Sequence, residues 1–197
     1  MSAPHQARVV LEDALAVWWV ARGDAAGDVV DAATAALVAG LDSPALRELA
    51  GMPRRSPRSE LLPVVEAAVD ELGLRATSGG AEVAAMAVMA RRFLTGTLDR
   101  RSLLLWAAEH IGEEGDVSCD GFVELAELEG GDQEASEAQR DEWAREEAEA
   151  FLAGAPSPVQ ARWATGSNRP ARSARWPALR ARLRGRRLGG RSARRSS

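Results

Sequence analysis

The feature that most constrains this chain is apolar residues at helical spacing, closed again and again by glycine. Leu61, Val65, Val69 and Leu72 recur every three or four residues, and Gly73 follows them. Apolar residues at this spacing share one face of an α-helix, and a glycine just beyond them can take the left-handed conformation that ends it. Alternating apolar and polar runs, which indicate strands, are nearly absent. The sequence therefore predicts helices with short connections.

Seven segments carry this periodicity or a comparable start signal. They are residues 5–22, 28–39, 43–51, 60–72, 82–94, 99–111 and 136–152. Ser43 before a proline and Ser136 three residues before Gln139 are typical helix-start residues. Pro63 falls in the first turn of its segment, where proline is tolerated. We expect an all-α fold, a helical bundle of six to seven helices, since about 150 residues suffice for one core.

Charge is divided sharply along the chain, although the net charge is only −4. Residues 1–108 are close to neutral, residues 109–149 hold 16 acids against two arginines, and residues 150–197 hold 12 arginines and no acid. Such asymmetry indicates that the blocks neutralise each other or that each meets an outside partner. A solvated acidic face beside an unstructured tail is the other reading. We divide the chain into a helical domain (1–154) and an Arg-rich tail (155–197).

The tail is rich in Arg, Ala, Ser, Pro and Gly and has no apolar period. Such a segment cannot recover its ordering entropy by burial, so we expect disorder. Arginines interleaved with Trp163 and Trp176 would suit phosphates and stacked bases, which makes nucleic-acid binding through the tail one alternative. A short basic helix around Leu179 and Leu183 at an anionic surface, docking onto the acidic block, and an extension without a role are the others.

One segment carries a motif with a chemical mechanism. Residues 116–127, DVSCDGFVELAE, place oxygen-bearing side chains at positions one, three, five and twelve, with glycine at six and an aliphatic residue at eight. This spacing resembles the calcium loop of the EF-hand family. The calcium ligands that the resemblance implies are Asp116, Ser118, Asp120, the carbonyl of Phe122, Glu124 through a water, and Glu127. Glycines interrupt both flanking helices, and an acidic turn rich in Asp and Gly is the other reading.

A second resemblance covers more of the chain. The order FLTGTLDRRSLLLWAAEHIG, FVELAELEG and EWAREEAEAFLAG is similar to the small acidic all-helical immunity-type proteins of bacteria. The resemblance implies that the chain binds and neutralises a cognate toxin without catalysis. Acids at this density would steer a cationic partner, such as a nuclease with a basic cleft, toward this face. Trp106 and Trp143 are either interface anchors or core residues.

Residues suited to catalysis are scarce. His5 and His110 are the only imidazoles, and the single cysteine, Cys119, lies among acids that disfavour its thiolate. The chain has no lysine, so it cannot form a P-loop. No apolar run approaches the ~20 residues of a membrane span, and no secretory signal is evident. We expect a non-enzymatic, cytoplasmic protein-binding module for a basic partner, with a calcium-binding regulator as the alternative.

Overall fold

The computed structural model describes residues 2–21, 25–75, 80–112, 114–129 and 135–164. These residues form nine α-helices and one 3-10 turn at Val117–Cys119, without a strand. The helices are α1 (Ala3–Val20), α2 (Ala26–Val38), α3 (Pro44–Gly51), α4 (Arg58–Leu72), α5 (Ala81–Leu94), α6 (Arg100–His110), α7 (Asp120–Leu128), α8 (Glu137–Leu152) and α9 (Pro158–Ala164). The predicted all-α fold is confirmed. None of the described helices is long and apolar enough to cross a membrane.

Helix α5 lies at the centre of the packing. On one side it packs against α1, which packs against α2, and the chain of contacts continues from α2 to α3 and from α3 to α4. On the other side α5 packs against α6 and α8, while α7 contacts α6, α8 and α9. The molecule therefore has an N-terminal half (α1–α4) and a C-terminal half (α6–α9) that share α5.

Apolar burial holds the N-terminal half together. Leu11, Trp18 and Val29 are fully buried, as are Leu46 and Leu61. Burying side chains of this size stabilises a fold by about 1.5–3 kcal/mol each, before the entropy of ordering the chain is subtracted. The heptad-like apolar positions read from the sequence are thus the core positions of this half.

Arg58 closes the end of α1. Its guanidinium lies 4.2 Å from the ring centroid of Trp18 and 5.5 Å from that of Trp19. It donates hydrogen bonds to the backbone carbonyls of Trp18 at 2.7 Å and of Trp19 at 3.2 Å. The last carbonyls of a helix have no partner within the helix, so a cation here satisfies them and complements the helix dipole.

The predicted helix ends agree with the structure where it describes them. Ser43 accepts a hydrogen bond from the N–H of Leu46 at 3.2 Å, as an N-cap should. Gly73 has a φ of 56°, and Gly40, which follows α2, has a φ of 94°. Both lie in the left-handed region that glycine enters without a steric penalty. Gly23, predicted to end the first helix, lies outside the described residues.

Three expectations are corrected. Helix α7 forms in the irregular stretch between the last two predicted helices, because Phe122, Val123 and Leu125 are buried there and tertiary packing outweighs weak local signals. Pro63 is the sixth residue of α4, inside the helix and beyond its first turn. The first residues of the predicted disordered tail form α9, which buries Val159 against α7 and α8. Residues 165–197, the rest of that tail, lie outside the described residues.

Candidate protein-binding surface

Helix α8 begins with the capping box that the sequence predicts. Ser136 Oγ accepts from the N–H of Gln139 at 3.2 Å, and the N–H of Ser136 donates to Gln139 Oε1 at 3.0 Å. Beyond this start, α8 buries only Ala144, Glu147 and Ala148. The helix therefore rests on the bundle along a narrow strip and turns most of its charged side chains to solvent.

Three of these side chains form a row, which we call the acidic stripe: Glu142, Glu146 and Glu149. They follow at intervals of four and three residues, the spacing that aligns side chains along one helix face. Glu142 and Glu149 are exposed, and neither forms an ion pair with another residue that the structure describes. Arg145 lies between them along the helix, but its guanidinium lies over the ring of Phe93 at 5.9 Å. The stripe is thus a row of carboxylates at the surface.

One arginine already lies on this stripe. Arg162 of α9 forms an ion pair with Glu146, and its guanidinium lies 5.8 Å from the ring centroid of Trp143. Trp143 is half-buried and packs against the core, so its ring is a fixed platform. A carboxylate beside an aromatic face is a favourable site for a guanidinium. The sequence prediction placed Arg162 in a tail without structure and therefore missed this contact.

Other acids of the block are neutralised inside the molecule. Arg100, whose side chain is 9% exposed, forms ion pairs with Glu129 at 3.0 Å, with Asp141 at 3.1 Å and with Glu137. Arg100 is the first residue of α6, where the helix dipole disfavours a cation. That unfavourable position is the local sign that carboxylates from elsewhere must surround it. Residues 109–149 are therefore only in part a surface for an outside partner.

A buried carboxylate lies on the inner side of α8. Glu147 is 1% exposed, and its Oε2 accepts hydrogen bonds from Ser157 Oγ at 2.7 Å and from the N–H of Val159 at 3.3 Å. Burial raises the pKa of this carboxyl, with a smaller contribution in the same direction from Glu124 and opposing contributions from its hydrogen bonds and from Arg162. Glu147 thus joins the start of α9 to α8, which positions Arg162 on the stripe.

Gly121 makes this close packing possible. A Cβ atom at position 121 would lie 1.9 Å from Glu147 Oε1 and 2.6 Å from Ser157 Oγ. The sequence analysis gave this glycine the sharp turn of a calcium loop, but Gly121 is helical and has no positive φ. It lets α7 approach the buried carboxylate of α8.

The residues of the calcium motif are placed as follows. Asp116 and Ser118 lie together, because Ser118 Oγ donates to Asp116 Oδ1 at 2.6 Å, and this bond lowers the pKa of Asp116. Asp120 opens α7, and Phe122, Glu124 and Glu127 follow within that helix. Phe122 and Glu124 have buried side chains, and Glu127 is half-buried.

This arrangement differs from an EF-hand loop, because helix α7 already starts at the fifth position of the motif. Within the described ranges, no group of three or more His, Cys, Asp or Glu side chains is placed to hold a metal ion. The residues present do not fit the calcium site that the resemblance implies, and calcium binding stays a prediction.

The groups considered for catalysis are placed apart. His5 is exposed near the start of α1, and His110 packs against Trp106 with ring centroids 5.2 Å apart. Cys119 is fully buried, and its pKa is raised to about 12, mainly by burial and further by acids such as Asp116 and Glu82. The sequence predicted the direction of this shift from the acids, whereas burial is the larger cause.

No family model matches this chain, and comparison with curated proteins and with solved structures gives no match. The EF-hand and immunity-type resemblances therefore rest on the residues of the sequence alone.

Proposed function

We propose that this protein is a non-enzymatic helical module that binds a basic protein partner through the acidic stripe of α8. The observation that carries the proposal is the position of Arg162, whose guanidinium pairs with Glu146 and lies over Trp143. The same helix exposes Glu142 and Glu149, one turn or so to either side. The stripe therefore offers an arginine-rich partner two further carboxylates beside a guanidinium site of known geometry.

The internal ion pairs define which acids take part. Glu129, Glu137 and Asp141 surround Arg100, so they serve the fold first. The proposal assigns binding to Glu142, Glu146 and Glu149, with Trp143 as the aromatic contact. Partner recognition of this kind depends on salt, because exposed charges are screened within about 8–10 Å at physiological ionic strength. Toxin neutralisation, as in the immunity-type proteins that the sequence resembles, is one form of this function and stays a prediction.

A titration with a defined basic probe tests the proposal. A fluorescein-labelled peptide of 12 alternating Arg and Ala residues is titrated against the full chain, and anisotropy gives its affinity at low and moderate salt. The double variant Glu142→Gln/Glu149→Gln should bind the probe about fivefold more weakly, the size expected from two partly screened ion pairs. The matched control is Glu66→Gln/Asp70→Asn, which removes two exposed acids four residues apart on α4.

The expected result is a loss in the α8 variant and none in the α4 variant. Equal weakening in both variants would show that only net charge attracts the probe, and the proposed site would then be wrong.

A further inference from the structure

Helix α9 carries the chain toward the acidic stripe. Its start lies at Glu147, through Ser157 and Val159, whereas Arg162 lies at Glu146 and Trp143. Along α9 the contacts thus move back toward the beginning of α8. The chain therefore leaves Ala164 on the side of α8 where Glu142 lies.

The residues that follow are strongly basic. Residues 165–197, here called the Arg-rich segment, contain 11 arginines and no acid. A flexible chain of this length has a root-mean-square reach of about 30 Å, and α8, with 16 residues, is about 24 Å long. The whole stripe is within reach of the segment, at an effective concentration in the millimolar range.

We propose that the Arg-rich segment binds back onto the acidic stripe of the same molecule and competes there with an outside basic partner. Arg162 is the first arginine of the basic C-terminal block, and its contact with Glu146 and Trp143 shows the geometry that further arginines can repeat at Glu142 and Glu149. This inference rests on the proposed function, because it assigns a regulator to the same stripe. Only a partner with more or better placed arginines then displaces the segment.

Tryptic cleavage of the full chain tests the proposal. Trypsin cuts after arginine, so mass spectrometry of the time course gives the cleavage rate within residues 165–197. At low salt we expect the wild type to be cut about fivefold more slowly there than Glu142→Gln/Glu149→Gln, and as slowly as the control Glu66→Gln/Asp70→Asn. At about 0.5 M salt the difference should disappear. Thermal unfolding of each variant shows that its helical core is intact.

Equal cleavage rates in the wild type and the α8 variant would overturn the proposal. Protection that weakens on dilution would overturn it as well, because it would place the segment on a second copy of the chain.

A second measurement separates this inference from the function on which it rests. In a variant with all 11 arginines of the segment replaced by glutamine, the Arg-Ala probe should bind about threefold or more tightly than to the wild type, since its competitor is gone. If the affinities are equal and Glu142→Gln/Glu149→Gln still weakens the probe, the inference is wrong and the proposed function stands. If the α8 substitutions change nothing even in the arginine-free variant, the proposed function itself is wrong.

Discussion

The two halves of the molecule are stabilised in different ways. Among the described residues, the buried polar side chains of the N-terminal half are serines, Ser43 and Ser56, and its ion pairs, such as Arg47 with Asp42 at 2.6 Å, lie at the surface. The C-terminal half buries Arg100, Glu124 and Glu147. Exposed pairs contribute little to stability, whereas a buried charge is costly when its partner is removed. The first half therefore depends on apolar packing, and the second depends on specific charged partners.

Arg100→Met should give the largest effect. The substitution keeps the apolar stem but leaves Glu129, Glu137 and Asp141 without their shared cation. Because two of these acids are largely exposed, we expect a loss of about 3 kcal/mol in the free energy of unfolding, at the low end for breaking a buried ion pair. Urea denaturation measures it. The neighbouring, exposed Arg101→Met should change stability by less than about 0.5 kcal/mol. Equal effects would remove the distinction between the halves.

Gly121→Ala should follow, with a loss of about 2 kcal/mol. The new methyl group displaces the Glu147 carboxylate from its bonds to Ser157 and Val159. Gly51→Ala, at the end of α3, meets nothing within 4 Å and should be neutral or stabilising. Adding Glu147→Ala to Gly121→Ala should cost less than the sum of the two single changes, because the shorter side chain leaves room. Strict additivity would contradict the contact.

Arg58→Met tests the one place where the N-terminal half uses a cation against its core. Loss of the contact with Trp18 and of two hydrogen bonds to the end of α1 should cost about 1.5 kcal/mol. The exposed Arg55→Met is the matched control, again read by urea denaturation. A loss as large as that of Arg100→Met would show that both halves depend equally on buried cations.

Glu147→Gln should give the smallest effect, and only at some pH values. The pKa of Glu147 is raised in the folded protein, so folding favours its protonated form. The stability from this group is fully present below the ordinary carboxyl pKa and is lost as pH rises through the raised value. Glutamine stays neutral, so the variant should match the wild type in acid and become relatively more stable toward neutral pH. Thermal unfolding across pH measures this, with Glu66→Gln as the control. A difference that does not depend on pH would contradict the raised pKa.

Local signals in the sequence account for most of the fold. The glycines that end helices, such as Gly73 and Gly40, and the caps Ser43 and Ser136 act within a few residues of their helix, so they could be predicted. Helix α7 could not, because its stability comes from burial of residues such as Phe122 and not from local preference.

The candidate surface depends on contacts between distant residues. Arg100 meets acids 29 to 41 positions away, Gly121 meets Glu147, and Arg162 meets Trp143. The charge blocks indicated that an acidic face exists, but they could not tell which acids are neutralised internally. The arginine contact was missed because α9 has too few apolar residues to show a period.

The burial of Cys119 gives this protein an internal clock. A thiol with no exposed surface and a pKa of about 12 does not react with an alkylating reagent from the native state. Labelling must wait for the turn before α7 to open, and the chain has no other cysteine to compete. The rate of modification therefore reports how often the charged half opens while the apolar half stays closed, without any engineered probe.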